Sequence, residues 1–262
     1  MRFLKPMNPP LPRWEDARVW IVGASTGIGA ATARVLLARG ARVALSARSV
    51  DKLAAVAGEH AARTLVAPLD FTDADAVAAC WQRVHAQWGG IDLVLIVAGT
   101  HQEIRAWELT LANAKQVLDT NLNGVIATVA AIVPGLLAQR HGAIGIVASV
   151  AGYRGLPKAL VYGASKAAVI NFTETLYLDL RPKNIGVYLI NPGFVKTPLT
   201  AGNQFTMPHL MEADDAAHEL VAGLDSGTFE IHFPHAFTRQ LKLLRLLPYR
   251  WYFALVHRST GL

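Results

Sequence analysis

The chain has 262 residues, of which 52% are hydrophobic and only 17% are charged, and its formal net charge is +6. This length and apolar content fit one large α/β domain better than two small ones. The single cysteine excludes an intramolecular disulfide, and the nine histidines show no ligand spacing, so we predict no metal site.

The positive charge is concentrated near the C-terminus. Glu230 is the last acidic residue, whereas acidic and basic residues almost balance in the part of the chain before the final basic cluster. The residues of this cluster are Arg239, Lys242, Arg245, Arg250 and Arg258. Proteins that bind nucleic acid usually carry a basic face across the fold, so we expect no nucleic-acid partner.

Short apolar runs alternate with longer helical patterns along most of the chain. The runs do not alternate strictly between polar and apolar residues, which is typical of parallel strands buried on both faces. We predict strands at 19–22, 43–46, 64–67, 93–97, 144–147, 187–190 and 229–233. We predict helices at 28–38, 51–60, 74–88, 114–137, 162–180 and 213–224. This order predicts a doubly wound parallel sheet of about seven strands in a single domain.

The two ends differ from the body in composition. We therefore divide the chain into an N-terminal extension at 1–18, a nucleotide-binding domain at 19–235 and a basic tail at 236–262. The extension lacks the apolar stretch of a signal peptide, and no run of about 18 apolar residues predicts a membrane span. We expect a cytoplasmic protein in which any membrane association involves only the tail.

A glycine-rich turn follows the first predicted strand and opens a helix. Its glycines are Gly23, Gly27 and Gly29, spaced as G-xxx-G-x-G. The first allows a tight turn, and the others let the backbone approach a pyrophosphate at the positive end of the helix. Three glycines at such a turn can also serve packing alone.

The end of the second strand indicates which dinucleotide is preferred. An acidic residue there would bind the ribose 2′-hydroxyl of NAD, but the sequence at 45–49 contains no carboxylate. Arg48 can instead pair with a 2′-phosphate. We predict NADP(H) in preference to NAD(H), with a solvated surface arginine as the alternative.

Tyr162 and Lys166 are four residues apart in a predicted helix, so their side chains share one face. A free phenol has a pKa near 10, too high for efficient proton transfer at neutral pH. An ammonium group about 4 Å away stabilises the phenolate by roughly 4 kcal/mol, enough to lower that pKa by about 3. The pair is sufficient for acid–base chemistry, although ordinary exposed helix pairs share this spacing.

Together these motifs resemble the short-chain dehydrogenase/reductase family over residues 19–233. Asp70 after the third strand, Asn121 in a helix, and Ser149 thirteen residues before Tyr162 also match its pattern. The resemblance implies a Rossmann-like fold and a homo-oligomer, commonly a dimer or tetramer. It implies cofactor contacts from Gly23, Ser25, Thr26, Gly27, Ile28, Gly29, Arg48, Asp70, Ala98, Gly99, Asn121, Tyr162, Lys166, Pro192, Gly193, Val195 and Thr197.

The resemblance also implies the catalytic roles. Tyr162 would exchange a proton with the substrate oxygen, Lys166 would lower its pKa, and Ser149 would hydrogen-bond that oxygen. Asn121 would hold a water molecule that links Lys166 to solvent. Taken alone, Ser149 could merely cap a turn, and Asn121 could bond the neighbouring backbone. The chain departs from the family pattern at Val22 and Val97, neither of which is expected to transfer a proton.

The segment at 194–211 is expected to cover the substrate. It is largely apolar, and no basic residue follows Lys196 in it to bind a carboxylate or phosphate. Its apolar residues are Leu199, Phe205, Met207, Leu210 and Met211. We therefore expect an apolar alcohol or ketone as substrate, unless these side chains only pack the segment closed.

The tail at 236–262 lies beyond the resemblance. Phe237, Leu241 and Leu244 recur at helical spacing, basic residues occupy another face, and Pro248 ends this helix. Such a cationic amphipathic tail can contact a membrane surface, or it can pack on the body or on a second subunit. A nucleotide sensor without turnover and a membrane-surface binding protein are the alternatives to an enzyme.

Overall fold

The computed structural model, which describes residues 6–203 and 206–261, contains one parallel sheet of seven strands. The strand order is β3-β2-β1-β4-β5-β6-β7, which confirms the predicted doubly wound α/β fold. The strands are β1 Arg18–Val22, β2 Arg42–Ser46, β3 Thr64–Val66, β4 Leu93–Ile96, β5 Ala143–Val147, β6 Gly186–Pro192 and β7 Glu230–Phe233.

Helices cover both faces of the sheet, so the central strands are buried and consist mostly of branched apolar residues. On one face lie α1 Gly27–Ala38, α2 Val50–Ala57 and α7 Ala213–Ser226. On the other lie α3 Ala74–Trp88, α5 Gly124–Gln139 and α6 Leu160–Leu180, with α4 Leu111–Leu118 preceding α5. The C-terminal helices are α8 His235–Arg245 and α9 Tyr249–Thr260.

The strand order reverses between β1 and β4, and this reversal positions the site. After β3 at one edge of the sheet, the chain returns to pair β4 with β1, bringing Ile96 opposite Val22. The loops that follow these two strands then run to opposite faces of the sheet. In doubly wound sheets, ligands bind in the crevice that opens at this point.

The predicted helix at 114–137 differs most from the structure. The helical stretch begins at Leu111, where Thr110 caps it, and a π-helical turn at Asp119–Asn123 divides it. This turn contains Asn121, whose side chain bonds outside its own helix. The physical reason for the irregular turn is therefore a long-range contact, which apolar periodicity does not reveal.

The stretch Leu111–Gln139 also changes the membrane expectation. Among the helices that the structure describes, this stretch alone has the length and composition needed to cross a membrane. The sequence-based prediction did not include it. Its apolar side chains nevertheless include core residues packed between the sheet and the neighbouring helices. These are Val125, Val129, Ile132 and Leu136. One side of this stretch therefore packs in the core of the domain.

Residues from both terminal regions of the described chain pack on the sheet domain. Asn8 exchanges two hydrogen bonds with the backbone of Val187 in β6, at 2.9 and 2.8 Å. The predicted helical tail is present as α8 and α9, and Pro248 immediately precedes the second helix. The Tyr252 hydroxyl donates to the Gly155 carbonyl at 2.7 Å, which fixes α9 to the body.

A partly buried ion pair stabilises the sheet at the end opposite the crevice. The Arg18 side chain donates two hydrogen bonds of 2.8 Å to the Asp92 carboxylate, and its backbone N–H donates a third. Burial alone would raise the pKa of Asp92, but the hydrogen bonds and charge of Arg18 outweigh it and lower that pKa. The carboxylate is therefore held in its charged form.

Replacing Asp92 by asparagine is expected to lower the free energy of unfolding at neutral pH by about 2 kcal/mol. Because the folded-state pKa of Asp92 is lowered, its contribution is present above about pH 4 and is lost as the pH falls further. Urea unfolding at several pH values measures this, and the difference from wild type should shrink in acid. Asp214→Asn, in the exposed pair with Arg34, is the matched control and should change stability little. An equal effect of both substitutions would contradict the prediction.

Candidate active site

A cavity of about 510 Å³ opens at the crevice beyond the carboxyl ends of the strands. Of the residues predicted to contact a cofactor, all except Asn121 line it. They are Gly23, Ser25, Thr26, Gly27, Ile28, Gly29, Arg48, Asp70, Ala98, Gly99, Tyr162, Lys166, Pro192, Gly193, Val195 and Thr197. Ser149 lines the same cavity. The strand order thus brings together residues that are more than 170 positions apart in the sequence.

The glycine-rich turn is shaped by close backbone approaches. Gly23 has a φ of +95°, and a Cβ there would lie 2.4 Å from the Ala98 nitrogen. A Cβ at Gly29 would lie 2.1 Å from the Gly23 oxygen, so no side chain fits at either position. These two glycines are therefore required for close packing of the turn, as the alternative to cofactor binding had suggested.

The same turn can also bind an anion. Thr26 precedes α1, and its side chain makes no capping bond to the helix. The first N–H groups of α1 therefore lack a side-chain cap and lie beside the cavity at Gly27, where the helix dipole favours negative charge. Glycine packing and anion binding are compatible at this turn.

One end of the cavity is basic. Arg48 lines it as predicted, and Lys52 in the first turn of α2 lines it as well. Asp70 is also at this end, and its pKa is lowered by hydrogen bonds from Thr72, with a smaller contribution from Arg48. Sequence reasoning missed Lys52, although its position four residues after Arg48 at a helix start was a usable signal.

At the other end of the cavity, Tyr162 and Lys166 project from the first turns of α6. Lys166 is buried, and its Nζ donates a 3.0 Å hydrogen bond to the Val147 carbonyl at the end of β5. This Nζ lies 5.9 Å from the centre of the Tyr162 ring. The alternative of an exposed helix pair is therefore wrong, because both side chains face the cavity.

Ser149 follows β5 and lies beside Tyr162. Its Oγ accepts a hydrogen bond of 3.1 Å from the Ala151 N–H, which is the turn-capping role that the sequence left open. A hydroxyl that accepts one bond can still donate another. Burial raises the pKa of the Tyr162 hydroxyl, and the neighbouring Ser149 side chain opposes this shift in part. Capping and a role at the substrate oxygen are thus compatible.

The ionisation of the Tyr162–Lys166 pair differs from the sequence-based expectation. Burial raises the pKa of Tyr162, and the hydrogen bond with Ser149 only partly opposes this. Burial also lowers the pKa of Lys166 to about 8. The expected lowering of the Tyr162 pKa is not observed in this structure, because desolvation outweighs the favourable contacts and the Lys166 Nζ bonds a carbonyl.

Asn121 is fully buried and does not line the cavity. Its Oδ1 accepts from the Thr100 N–H at 2.8 Å, and its Nδ2 donates to the Thr100 carbonyl at 2.9 Å. Nδ2 also donates to Ser165 Oγ, at 3.1 Å. Asn121 therefore bonds a distant loop and not the neighbouring backbone, which was the alternative that the sequence left open, and the water link to Lys166 stays a prediction.

His101 is a neighbour of Tyr162 that sequence reasoning missed. The two ring centres are 4.6 Å apart in an edge-to-face arrangement. Burial lowers the pKa of His101, against an opposing effect of Glu103, so the imidazole is neutral at pH 7. No local signal identified it, because the contact joins the loop after β4 to α6.

The segment at 194–211 is joined at its base by hydrogen bonds of Met211 with Phe194 and Lys196, at 3.0 and 2.9 Å. Leu199 lines the cavity, and Leu210 is exposed, whereas Phe205 of the predicted apolar set lies outside the described residues. Lys196 pairs with Glu212 at 2.9 Å. Among the described residues of the predicted apolar set, Leu199 alone lines the cavity, so an apolar cover over the substrate stays a prediction.

Comparison with known proteins yields related sequences over most of the chain. Residues 17–207 match the family model described as short chain dehydrogenase. An uncharacterised oxidoreductase of Myxococcus xanthus is 38% identical over 231 residues, covering 87% of this chain and 91% of that protein. A 2-dehydro-3-deoxy-L-rhamnonate dehydrogenase (NAD(+)) of a Sphingomonas species is 36% identical, covering 68% of this chain and 72% of that protein.

Several solved structures share the fold of this chain. A 3-oxoacyl-[acyl-carrier protein] reductase from Brucella melitensis is 27% identical with a TM-score of 0.74, over 85% of this chain and 91% of that one. A short chain dehydrogenase from Burkholderia cenocepacia, solved in complex with NADP, has a TM-score of 0.81 at 24% identity. It covers 94% of this chain and 99% of that one, and at this identity it shows the fold alone.

Proposed function

The chain belongs to the short-chain dehydrogenase/reductase family, and we propose that it moves a hydride between NADP(H) and a hydroxyl or carbonyl group of an apolar substrate. It is an NAD(P)-dependent oxidoreductase. The observation that carries the finer proposal is one continuous cavity. Ser149, Tyr162 and Lys166 lie at one end of it, and Arg48 and Lys52 lie at the other.

The residues of the cavity fit a nicotinamide dinucleotide. The turn at 23–29 offers uncapped helix N–H groups for the pyrophosphate, and Asp70 stands where the adenine end would bind. Pro192, Gly193, Val195 and Thr197 line the cavity after β6, on the nicotinamide side in this proposal. When bound, the nicotinamide supplies or accepts the hydride.

In the proposed reduction, Tyr162 donates its phenolic proton to the substrate oxygen as negative charge develops there. Ser149 donates a hydrogen bond to the same oxygen. Lys166, held by the Val147 carbonyl, places a positive charge near the phenolate that remains. Asn121 acts by fixing the loop at Thr100 against α6, next to Lys166.

The preference for NADP(H) over NAD(H) is supported by charge. Arg48 and Lys52 are two cations at the cavity end where a 2′-phosphate would lie, and 46–49 provides no carboxylate for a free 2′-hydroxyl. The Burkholderia structure contains NADP, whereas the Sphingomonas relative is named for NAD(+). Relatives alone therefore do not decide the cofactor, and the proposal rests on the two basic residues.

An apolar alcohol or ketone is the proposed substrate class. Leu199 and Pro198 border the cavity, and Lys196 is engaged by Glu212. We further propose a homo-oligomer, either a dimer or a tetramer, and a peripheral membrane contact through 236–262. The cytoplasmic location and the three-part division of the chain also remain proposals.

The test combines binding and turnover. NADPH binding is followed by its fluorescence, and NADPH oxidation is then measured against a panel of apolar and anionic carbonyl compounds. Binding together with reduction of apolar ketones is expected. Binding without any turnover would favour the alternative of a nucleotide sensor, and turnover of small anionic acids alone would contradict the apolar substrate.

A further inference from the structure

The two tail helices and the turn between them expose several large apolar side chains. Leu246, Tyr249 and Trp251 are 79%, 70% and 66% exposed. Leu243, Phe253 and Leu255 are exposed as well. Globular proteins rarely expose a cluster of large apolar side chains unless the surface meets a partner.

Specific contacts hold the tail on the body, so this exposure does not come from a loose segment. Arg154 Nη1 donates to the carbonyls of Leu244 and Leu247, at 3.2 and 2.6 Å, and so caps the end of α8. The guanidinium also lies 4.1 Å from the centre of the Tyr252 ring. The exposed face therefore belongs to a docked element with a defined orientation.

The side chains of α9 are sorted around its axis. Tyr252 is buried and Val256 is half-buried, one turn apart, and they face the body. Arg250 and Arg258 are exposed on the opposite, outward face. An apolar row borders this basic face on each side, formed by Trp251 and Leu255 and by Tyr249 and Phe253. The outward surface is thus both basic and apolar.

The charge of this surface selects the kind of partner. Lys242 is neutralised by Glu230 at 2.7 Å, but the other basic residues of the tail are exposed and have no ion pair in the part of the chain that the structure describes. These are Arg239, Arg245, Arg250 and Arg258. Two such tails packed together would oppose charges of the same sign with no acidic residue between them, whereas an anionic bilayer offers phosphates and an apolar interior.

We propose that α8 and α9 dock the protein on an anionic lipid surface. The arginines contact lipid phosphates, and Trp251 and Leu255, which form the apolar row on one side of α9, enter the interface between headgroups and acyl chains. Each arginine close to such a surface strengthens binding about fivefold, so Arg250 and Arg258 together provide measurable but reversible binding.

The docking surface is attached to the loops beside the substrate cavity. On α8, the ring of Phe237 lies 5.4 Å from that of Phe194 and 6.1 Å from that of His209, both in the covering segment. Arg154 follows Ser149 by five residues. Docking therefore brings the loops around the cavity to the lipid, and, on the proposed function, apolar substrates dissolved in the bilayer reach them there.

The test is co-sedimentation of the full-length protein with phosphatidylcholine vesicles, with and without phosphatidylserine. Binding to the anionic vesicles, weakened by salt, is expected. The double variant Arg250→Gln/Arg258→Gln should partition about 30-fold more weakly, the fold-change that corresponds to about 2 kcal/mol. Trp251→Ser/Leu255→Ser should weaken binding about tenfold or more.

Matched variants outside the tail make the result specific. Arg42→Gln/Arg83→Gln removes two exposed arginines elsewhere, and Leu178→Ser removes an apolar side chain that is 70% exposed on α6. Both should bind vesicles like wild type. An absence of vesicle binding overturns the proposal. Tail variants that dissociate an oligomer in gel filtration but leave vesicle binding unchanged also overturn it. Sedimentation requires no turnover, so this outcome is independent of whether carbonyl reduction is found.

Discussion

Replacing Tyr162 by phenylalanine is expected to lower kcat about 10²- to 10⁴-fold, the usual contribution of a positioned proton donor. The substitution removes only the hydroxyl of a side chain that lines the cavity together with Ser149. Because the ring remains, its edge-to-face contact with His101 and its place beside Lys166 are retained. NADPH affinity should therefore change little, and the loss should appear in kcat rather than in binding.

Steady-state kinetics together with a fluorescence titration of NADPH separate these two effects. Tyr177→Phe is the matched control, since this residue lies on the same helix and its hydroxyl donates to the Met7 carbonyl away from the cavity. The control should keep wild-type kcat. Wild-type turnover in the Tyr162 variant would remove the proposed mechanism, and lost NADPH binding would show that the residue acts in binding instead.

Replacing Arg48 by glutamine is expected to raise the KM for NADPH by about 30-fold, because a charge-assisted hydrogen bond to a phosphate contributes about 2 kcal/mol. Lys52→Gln should have a smaller effect, since its ammonium does not form the paired contacts of a guanidinium. The KM for NADH should stay nearly constant in both variants, because NADH lacks the 2′-phosphate. The ratio of kcat/KM for the two cofactors measures the change.

Arg42→Gln is the control for this prediction, since Arg42 is exposed at the start of the strand that Arg48 follows. It should leave both KM values unchanged. Equal increases for NADPH and NADH in the Arg48 variant would indicate general damage to the adenine end rather than recognition of the 2′-phosphate. An unchanged preference would identify Arg48 as a solvated surface residue.

Much of the fold could be predicted because its signals are local. Each predicted strand overlaps an observed strand, since a parallel strand buried on both faces has to be continuously apolar. The helix at 51–60 was predicted too long. It ends at Ala57, because Gly58 adopts a φ of +49° and the chain continues as a 3-10 turn. The membrane expectation was incomplete because it relied on an unbroken apolar run, whereas the helical stretch Leu111–Gln139 reaches a high mean hydropathy with polar residues interspersed.

Only those residues of the candidate site that carry a local sequence signal could be predicted. Tyr162 and Lys166 were identified together because helix periodicity places them on one face. Lys52 and His101 were missed, since their importance depends on which loops meet at the cavity. The ionisation of the pair could not be predicted either, because burial is a property of the whole packed structure.

The sequence by itself determined the alternation of strands and helices, the glycine turn at 23–29, the absence of an acidic residue at 46–49 and the spacing of Tyr162 and Lys166. All of these depend on residues within a few positions of one another, where backbone geometry sets the outcome. Only the tertiary structure decided that Asn121 is bonded to Thr100 within a π-helical turn, that burial dominates the ionisation of Tyr162, and that the tail is docked with a basic, apolar outer face. These features depend on contacts between distant segments, which form only when the strand order brings those segments together.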